Sequence, residues 1–343
     1  MLLDGSAPLL ILAAETAGPD AIAELASLGK EPPVLLLAPV RAAAVLHRPV
    51  EQDSPALAVR LPSALLEPPA LRGLADPTLA LPGRPGPLEP AALPTLAAAA
   101  LDLAKIARLL PAVLGASISP ETRAAVAERA LLVVQAEDLE GYRDLDAAGL
   151  RQIADARVPL IDAADARIVA FRSERSAIEH LAIIIGKPEA AEAPLVRIHS
   201  ECFTGDLLGS MRCDCGEQLR GAIARMAQDG AGILLYLAQE GRGIGLVNKL
   251  RAYAMQDRGL DTLDANRVLG WGPDERSFMT AATMLESLGF KRVRLLTNNP
   301  DKMAALVACG IEVVGREAHA FAPNGVNDEY LDTKAARFGH LLD

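Results

Sequence analysis

Residues 233–245 read Ile-Leu-Leu-Tyr-Leu-Ala-Gln-Glu-Gly-Arg-Gly-Ile-Gly. The apolar start has the length of a buried strand, and the glycine-rich turn precedes a helix predicted at about 246–258. A strand that feeds such a turn lets backbone N–H groups approach a phosphate or a base closely. The glycine spacing matches neither a Walker loop nor a dinucleotide fingerprint, and a flexible turn explains it equally well. The stretch therefore predicts a strand–turn–helix unit of an α/β fold.

A second strand-to-helix junction lies at residues 295–302, which read Leu-Leu-Thr-Asn-Asn-Pro-Asp-Lys. Pro300 suits a first helical turn, and the asparagines before it can cap the helix. Free N–H groups at this helix start, together with Thr297 and Lys302, could bind an anion. An ordinary capped loop explains these residues equally well.

Composition divides the chain of 343 residues into two parts near residue 150. Residues 1–150 are rich in Ala, Leu and Pro and contain 11 basic and 18 acidic residues, a net charge of −7. Residues 151–343 have a mixed, enzyme-like composition and a net charge of −3. This length suits two domains. We expect domains at 1–148 and 151–343, of α/β and α+β class, each with a mixed β-sheet packed by helices.

Short apolar runs and helical patterns alternate in the first part, which favours an α/β arrangement. The predicted strands lie at 9–12, 34–37 and 131–134, and the predicted helices at 20–28 and 94–110. No glycine-rich phosphate loop, His/Cys cluster or carboxylate cluster is visible here. The one histidine of this part, His47, is predicted to be an exposed loop residue.

The formal net charge of −10 excludes a whole-surface attraction to nucleic acid or anionic lipid, so any bound phosphate must meet a local cluster of donors. The sequence has no apolar run of about 18 residues and no basic region before its N-terminal apolar stretch, which predicts neither a transmembrane helix nor a signal peptide. Four cysteines are too few for a disulfide scaffold. We expect a cytoplasmic protein with no nucleic-acid or membrane partner.

Three of the cysteines, Cys202, Cys213 and Cys215, fall in a C-x10-C-x-C pattern. Zn²⁺ prefers thiolates in tetrahedral geometry, and three of them would leave the fourth position for the water that hydrolysis requires. The spacing leaves two alternatives open: a closed structural site with His199 as fourth ligand, and reduced thiols without a metal. Cys309, at a predicted helix end, is expected to be a small core residue.

Two further features could carry chemistry. Asp274 and Arg276, in the loop Gly-Pro-Asp-Glu-Arg at 272–276, could form a catalytic base beside a phosphate-binding cation. Such loops are more often solvated turns. Tyr253, near the middle of a predicted helix, could equally be a core aromatic with its hydroxyl at the edge.

Taken together, these motifs resemble the GTP cyclohydrolase II family in order and spacing, over about residues 151–343. The matching runs are Arg197-x-His-Ser-Glu-Cys-x-Thr-Gly-Asp, Arg212-Cys-Asp-Cys-Gly, Gln239-Glu-Gly-Arg-Gly-Ile-Gly-Leu, Leu296-Thr-Asn-Asn-Pro and Tyr330-Leu-Asp-Thr-Lys-Ala. The resemblance implies zinc-dependent opening of the guanine imidazole ring of GTP. Formate and pyrophosphate would leave, giving 2,5-diamino-6-(5-phosphoribosylamino)pyrimidin-4(3H)-one, in the first committed step of riboflavin biosynthesis.

The resemblance also implies which residues would perform the reaction. It assigns one zinc ion per chain to Cys202, Cys213 and Cys215. Asp274 would be the general base, and Tyr253 would orient water or an intermediate near zinc. Arg276 would act at the α-phosphate, as a nucleophile or as an electrostatic stabiliser. A guanidinium stays protonated and is a poor nucleophile, which favours stabilisation.

The substrate contacts implied by the resemblance are Arg197, Ile198, His199, Ser200, Glu201, Gln218, Glu240, Gly241, Arg242, Thr262, Thr297 and Lys302. Glu240 could accept hydrogen bonds from N1–H and the 2-amino group of guanine. The arginines and Lys302 would meet the triphosphate, with Mg²⁺ on the leaving pyrophosphate. Ala238 stands where family members usually have a basic residue, a departure that would weaken triphosphate binding or alter the order of the loop. The family also suggests a homodimer.

Residues 1–148 resemble, more weakly, the 3,4-dihydroxy-2-butanone 4-phosphate synthase domain that is often fused upstream. The similar runs are Leu10-Ile-Leu-Ala-Ala-Glu15, Arg84-Pro85-Gly86, Ala100-Leu-Asp-Leu-Ala104 and Glu137-Asp-Leu-Glu-Gly-Tyr142. The family's acidic loop for Mg²⁺ and substrate would precede Leu9 and is missing, and Pro87 replaces its expected histidine. We therefore expect an inactive remnant. The alternatives are a bifunctional enzyme that also makes 3,4-dihydroxy-2-butanone 4-phosphate and a non-catalytic zinc or nucleotide-binding protein.

Overall fold

The chain folds into two compact units in a computed structural model that describes residues 1–81, 86–127, 129 and 131–341. Unit 1 comprises Met1–Gly141 and Val247–Pro273, and unit 2 comprises Tyr142–Leu246 and Asp274–Asp343. Each unit contains a mixed seven-stranded sheet with helices against it. The predicted fold class is therefore confirmed. The segment Val247–Pro273 packs with the N-terminal residues although its sequence lies in the middle of the C-terminal part.

The regular elements alternate along the whole chain. The strands are β1 (Leu2–Asp4), β2 (Leu9–Ala13), β3 (Val34–Leu37), β4 (Leu57–Arg60), β5 (Glu89–Pro90), β6 (Ala112–Ser117), β7 (Val133–Gln135), β8 (Arg151–Arg157), β9 (Arg167–Arg172), β10 (Glu179–Gly186), β11 (Leu195–Ser200), β12 (Ala231–Leu237), β13 (Arg292–Leu296) and β14 (Glu312–Glu317). The α-helices are α1 (Pro19–Leu28), α2 (Pro39–Leu46), α3 (Pro68–Ala75), α4 (Ala97–Ile106), α5 (Pro120–Ala127), α6 (Tyr142–Ala148), α7 (Cys215–Asp229), α8 (Leu246–Gln256), α9 (Thr262–Val268), α10 (Met279–Ser287), α11 (Pro300–Ala308) and α12 (Asp328–Phe338).

The sheet of unit 1 has the strand order β5-β4-β3-β6-β2-β1-β7. Its neighbouring strands pair antiparallel, except that β1 and β7 are parallel. Buried side chains of β2 and β3 pack against α4, which presents Ala97, Ala100, Leu101 and Ala104 on one face. This three-to-four-residue spacing is that of a helix with one buried side.

The sequence predictions for unit 1 locate most of these elements. Strands β2 and β3 and helix α1 are confirmed at the expected positions. Helix α4 begins at Ala97 rather than at Pro94 and ends before Leu110, and β7 is displaced by about two residues. His47 is exposed at the end of α2, as expected. Arg84 and Pro85, which carried part of the synthase resemblance, lie outside the described residues.

The sheet of unit 2 has the strand order β14-β13-β11-β12-β10-β9-β8. Strands β14, β13, β11 and β12 are parallel to one another, and β10, β9 and β8 continue the sheet in antiparallel pairing. Parallel strands are buried on both faces and therefore have continuous apolar sequences. Leu234 and Leu235 of β12, on opposite faces, both have no exposed surface.

The carboxyl ends of β11, β12 and β13 meet at one edge of this sheet, because the three strands are parallel neighbours. The chain leaves them into residues 201–206, 238–245 and 297–302, which are three of the motifs found in the sequence. Open α/β sheets bind ligands at this edge. The topology therefore gathers the motifs into one candidate site. No helix among the described residues is long and apolar enough to cross a membrane.

Candidate functional site

Three cysteine side chains converge where β11 ends. The ligand atoms of Cys202, Cys213 and Cys215 lie within 4.8 Å of one another, and the sulfurs of Cys202 and Cys213 are 3.7 Å apart. Cys202 follows β11, and Cys215 is the first residue of α7, where the helix dipole favours a negative charge. The cluster could hold a metal ion.

The spacing of the sulfurs fits a tetrahedral metal. Two thiolates at about 2.3 Å from a tetrahedral Zn²⁺ are about 3.8 Å apart, close to the separation of Cys202 and Cys213. Hydrogen bonding with Cys202, together with burial, raises the pKa of Cys213 to about 11. The thiol of Cys213 is therefore neutral at physiological pH on its own, and a bound cation would stabilise its thiolate form.

Gly205 is required by the close approach of the backbone to the cysteines. Its N–H donates a hydrogen bond to the sulfur of Cys202 at 3.3 Å. A Cβ atom at this position would lie 2.9 Å from the sulfurs of both Cys202 and Cys213. A side chain here would therefore displace two of the three candidate ligands.

Asp206 fixes the backbone beside Cys202. Its buried carboxylate accepts hydrogen bonds from the Cys202 N–H at 2.9 Å and from the Tyr236 hydroxyl at 3.0 Å. It also lies 3.1 Å from Nε2 of His199, whose ring stacks on Tyr236. Burial lowers the pKa of His199, despite the opposing carboxylate. His199 therefore belongs to a buried network behind Cys202, and it is not a member of the sulfur cluster.

Asp214 occupies the position between Cys213 and Cys215 and is also buried. It accepts hydrogen bonds from the ammonium of Lys334 at 2.5 Å and from the amide of Gln218 at 2.6 Å. Gln218 in turn accepts a hydrogen bond from the guanidinium of Arg197. These contacts link α12, α7 and β11 around the cysteine loop.

Buried cations surround the same edge of the sheet. Lys302 donates a hydrogen bond from Nζ to the carbonyl of Ile198 at 2.9 Å. Burial, followed by the nearby charges of Arg276 and Arg197, lowers the pKa of Lys302 well below its ordinary value. Burial likewise lowers the pKa of Arg197 to about 10. An anionic ligand would be attracted to this concentration of positive charge, which suits a phosphate.

Arg242 combines two signs of a functional position. Its backbone is left-handed, with φ 63° and ψ 35°, directly after Gly241 with φ 62°. Such a conformation is strained for a residue with a side chain. Its guanidinium stacks 3.7 Å from the centre of the Phe338 ring. Among the described residues, its buried Nη1 and the Nε of Arg197 lack hydrogen-bond partners, as expected for donors reserved for a ligand.

Asp274 and Arg276 form a close pair in the loop before α10. The Nε of Arg276 donates a hydrogen bond to Asp274 at 2.8 Å, and its Nη1 reaches the hydroxyl of Ser200 at 3.3 Å. Burial raises the pKa of Asp274, but hydrogen bonds and the charge of Arg276 outweigh this and bring it below its ordinary value. Asp274 is therefore ionised at neutral pH.

The other predicted residues of unit 2 have structural contacts of their own. Glu240 is buried, and its two carboxylate oxygens accept hydrogen bonds from the N–H groups of Phe203 at 2.6 Å and Gly241 at 3.0 Å. The Glu201 N–H donates to the carbonyl of Leu237. The Thr297 hydroxyl accepts from the N–H of Asn299 at 3.1 Å. The contacts of Glu240 and Glu201 connect the segments that follow β11 and β12, and the contact of Thr297 lies within the loop after β13.

Two predicted residues lie in the other unit. Tyr253 on α8 and Thr262 on α9 belong to the segment Val247–Pro273 of unit 1. Both are partly buried, and the Thr262 hydroxyl accepts a hydrogen bond from Gln256 at 3.0 Å. Their predicted roles toward the substrate stay predictions. Ala238, the departure from the family pattern, donates its N–H to Nδ1 of His180 at 3.0 Å.

Sequence reasoning did not identify several residues of the site. Asp206 and Tyr236 lie inside motifs quoted above. The position of Asp206, four residues after Cys202, could have indicated a carboxylate that supports the cysteine. Lys334 lies in the quoted C-terminal run but is distant in sequence from Asp214. His319, whose Nε2 is 2.7 Å from the Gln218 carbonyl, and His340, which lies near Lys334 and Lys302, had no local signal. Cys309 is partly buried against the core at the end of α11, as predicted.

Comparison with known proteins identifies the family. The family model for GTP cyclohydrolase II matches residues 151–318. GTP cyclohydrolase-2 of Azospirillum brasilense is 49% identical over 349 residues, covering 99% of this chain and 89% of that protein. The chain belongs to the GTP cyclohydrolase II family. It is an enzyme of that family, and the resemblance found in the sequence is confirmed.

Other relatives differ in length from this family member. GTP cyclohydrolase-2 of Enterobacter sp. (strain 638) is 48% identical over 193 residues, which cover 98% of that protein but 56% of this chain. Riboflavin biosynthesis protein RibBA of Phocaeicola vulgatus is 38% identical over 291 residues, covering 79% of this chain and 72% of that protein. A solved structure of RibBX, a two-domain 3,4-dihydroxy-2-butanone 4-phosphate synthase from A. baumannii, is 17% identical with a TM-score of 0.34, too low to relate the two folds.

Proposed function

We propose that this enzyme uses zinc to hydrolyse GTP to 2,5-diamino-6-(5-phosphoribosylamino)pyrimidin-4(3H)-one, releasing formate and pyrophosphate, as the first committed step of riboflavin biosynthesis. The observation that carries the proposal is the cluster of three cysteine ligand atoms within 4.8 Å at a sheet edge that is also lined by buried cations. Membership of the GTP cyclohydrolase II family supports GTP as the substrate.

Cys202, Cys213 and Cys215 would hold one Zn²⁺ per chain. When bound, zinc supplies Lewis-acid activation of water and polarises the carbonyl group formed during ring opening. The buried Asp206 and Asp214 would keep the cysteines in place through the hydrogen bonds described above. Such outer contacts orient metal ligands and tune their affinity.

Asp274 would accept a proton from the attacking water, because its carboxylate is ionised at neutral pH. Arg276 would stabilise charge at the α-phosphate as an electrostatic group rather than as a nucleophile, because its guanidinium stays protonated. The hydrogen bonds from Arg276 to Asp274 and Ser200 support a shared role for this loop and the end of β11. Tyr253 would orient water or the ring-opened nucleotide.

Guanine and triphosphate would meet different parts of the site. Glu240 would accept hydrogen bonds from N1–H and the 2-amino group of guanine, because an ionised carboxylate accepts at both of its oxygens. Arg197, Arg242 and Lys302 would bind the triphosphate, with Mg²⁺ on its leaving pyrophosphate. The unsatisfied guanidinium nitrogens of Arg197 and Arg242 support this assignment. The remaining contacts would come from Ile198, His199, Ser200, Glu201, Gln218, Gly241, Thr262 and Thr297.

Membership of the family also supports a proposal for the domains, the location and the oligomeric state of the enzyme. Residues 151–343 would form the catalytic domain, and residues 1–148 an inactive relative of 3,4-dihydroxy-2-butanone 4-phosphate synthase. The enzyme would act in the cytoplasm as a homodimer, without a nucleic-acid or membrane partner.

The test is to incubate the purified full-length protein with GTP and Mg²⁺ and to measure formate, pyrophosphate and zinc per chain. We expect one zinc ion and equimolar formate and pyrophosphate, with no formate from ATP. A zinc-loaded protein that releases no formate from GTP would refute the enzymatic proposal. In a parallel assay, the protein is incubated with ribulose 5-phosphate. Conversion of this sugar phosphate to 3,4-dihydroxy-2-butanone 4-phosphate would contradict the inactivity of the N-terminal part.

A further inference from the structure

Helix α8 is attached to N-terminal residues of unit 1 through an arginine. Arg251 donates hydrogen bonds from Nε to Asp76 at 2.7 Å, from Nη2 to Glu15 at 2.8 Å and from Nη1 to Asn248 at 2.8 Å. The side chains of Arg251, Glu15 and Asp76 are 17%, 18% and 7% exposed. All three donor nitrogens of the guanidinium are therefore used in a largely buried network.

The two carboxylates are themselves held by the N-terminal backbone. The second oxygen of Glu15 accepts a hydrogen bond from the Leu110 N–H at 2.8 Å. The second oxygen of Asp76 accepts from the N–H of Thr78 at 2.8 Å and from its hydroxyl at 2.6 Å. A planar guanidinium that meets preorganised acceptors is fixed in orientation as well as in position.

Further contacts tie the segment Val247–Pro273 to the same N-terminal residues. The buried side-chain amide of Asn248 donates to the carbonyl of Arg108 at 3.0 Å. Beyond the end of α8, Arg258 donates to the carbonyl of Pro77 at 3.1 Å. Near the end of the segment, Trp271 is buried beside the ammonium of Lys105. The segment is therefore attached near its start, its middle and its end.

The attached face of α8 is opposite to the face that carries Tyr253. Asn248, Arg251 and Met255 follow the three-to-four-residue spacing of one helix face. Tyr253 is two residues from Arg251, which places it about 200° around the helix. It shares its face with Lys249, whose ammonium lies 5.8 Å from the centre of its ring. The predicted catalytic tyrosine therefore lies on the side of α8 opposite to Arg251.

We propose that Arg251, held by Glu15 and Asp76, is a positioning residue for Tyr253, and that the N-terminal part of this chain serves as the scaffold of a catalytic helix. The proposal rests on the proposed function, since it assigns Tyr253 to the reaction. It also assigns a role to Glu15, which ends one of the sequence runs that resemble the synthase domain.

The first experiment compares Arg251→Met with the wild-type full-length chain by amide hydrogen exchange and by formate release. We expect faster exchange across residues 247–273, with unchanged exchange across 202–215 and unchanged zinc content. We expect kcat to fall by about tenfold to a hundredfold, because misplacing a catalytic group by about 1 Å can cost up to about a hundredfold. Arg267→Met, which removes an exposed arginine of the same segment, is the matched control and should behave as wild type.

The second experiment asks whether Arg251 acts through Tyr253. If it does, Arg251→Met should lower kcat by less than about threefold in a Tyr253→Phe background, because coupled groups are not additive. Losses that multiply in the double variant would overturn the positioning role. Glu15→Gln is a milder variant for the same comparison should Arg251→Met fail to fold, and Arg251→Lys should restore part of kcat through contact with one carboxylate.

The outcomes separate this proposal from the proposed function. Wild-type kcat in Arg251→Met, or unchanged exchange across residues 247–273, would overturn the positioning role and leave the GTP cyclohydrolase proposal intact. Absence of formate release from wild-type protein would overturn the proposed function and, with it, the catalytic role of Arg251. The exchange comparison would then still decide whether Arg251 anchors the segment.

Discussion

The ammonium of Lys334 lies 2.5 Å from a carboxylate oxygen of Asp214, although 120 residues separate them in the sequence. Both side chains are buried, with 8% and 3% of their surface exposed. Asp214 stands between Cys213 and Cys215, so the last helix of the chain, α12, contributes directly to the geometry of the cysteine loop. The cysteine loop therefore has this buried ion pair only when α12 has packed against it.

Replacing Lys334 by methionine should weaken both the fold and metal binding. The variant would leave Asp214 buried without its cation, which typically costs about 3–5 kcal/mol. Loss of such a supporting contact lowers metal affinity by about 10- to 100-fold. Chelator competition and thermal unfolding measure the two effects. Asp332→Asn, which changes an exposed residue of the same helix, is the control. Wild-type zinc affinity in Lys334→Met would show that the ion pair does not support the site.

Cys213→Ser should abolish stoichiometric zinc binding and formate release. A hydroxyl is a poor substitute for a thiolate, and the sulfur of Cys213 is 3.7 Å from that of Cys202 in the cluster. Metal analysis of the purified protein gives the readout. Cys309→Ser is the matched control because Cys309 lies outside the cluster. Zinc bound at one ion per chain in Cys213→Ser would exclude this residue as a ligand.

Asp274→Asn should lower kcat by about 10²- to 10⁴-fold while zinc and GTP binding persist, because it removes the proposed base and retains its shape. Formate release and equilibrium binding of a non-hydrolysable GTP analogue separate the two effects. Glu286→Gln, an exposed position on α10, controls for loss of a carboxylate. Equal losses of analogue binding and kcat would indicate a binding role for Asp274.

Stability should fall as the pH is lowered through the histidine range. Burial, followed by the charge of Arg197, lowers the pKa of His319 to about 4. Because the unfolded histidine has a pKa of about 6.5, the unfolded state binds the proton first, and the fold loses up to about 1.4 kcal/mol per pH unit between these values. At about one pH unit above 6.5 and beyond, the histidine is deprotonated in both states and contributes almost no slope.

Urea unfolding of the metal-free protein at several pH values tests this dependence without a contribution from zinc release. His319→Gln should reduce the slope between pH 6.5 and 4, whereas His47→Asn should not, because His47 is exposed. An unchanged slope in His319→Gln would mean that His319 does not take up the proton preferentially on unfolding. His340, whose pKa is lowered to about 3 by burial and then by Lys334, should leave a residual slope.

The sequence predicted best those features that depend on a few consecutive residues. The apolar run at 233–236 and the glycines that follow it predicted β12 and its turn, and the cysteine spacing predicted the cluster of ligand atoms. Both patterns reflect backbone requirements within a few residues. The parallel pairing of β11 with β12 and β13 then brings the motifs together.

Contacts between distant residues were not predictable in the same way. The pairs Lys334–Asp214 and Arg251–Glu15 each join residues more than a hundred positions apart. In the sequence, Lys334 and Arg251 look like ordinary exposed residues of a helix. Nor does composition show that Val247–Pro273 groups with unit 1, because this segment has the mixed composition of its flanks. Only the packing of the folded chain shows that Lys334 and Arg251 are largely buried ion-pair partners rather than solvated side chains.

Unit 1 is built from two separate segments of the chain, and this affects how the protein folds during translation. Residues 1–141 are synthesised first, but Glu15 and Asp76 receive Arg251 only after the intervening residues have been translated. At ordinary translation speeds this delay is on the order of ten seconds. During that time we expect the acidic groups and the apolar surface that later contact α8 and Trp271 to stay exposed on the nascent N-terminal part. Ribosome-bound chains stalled before residue 247 should therefore be a substrate for chaperones, whereas chains stalled after residue 273, once clear of the exit tunnel, should not.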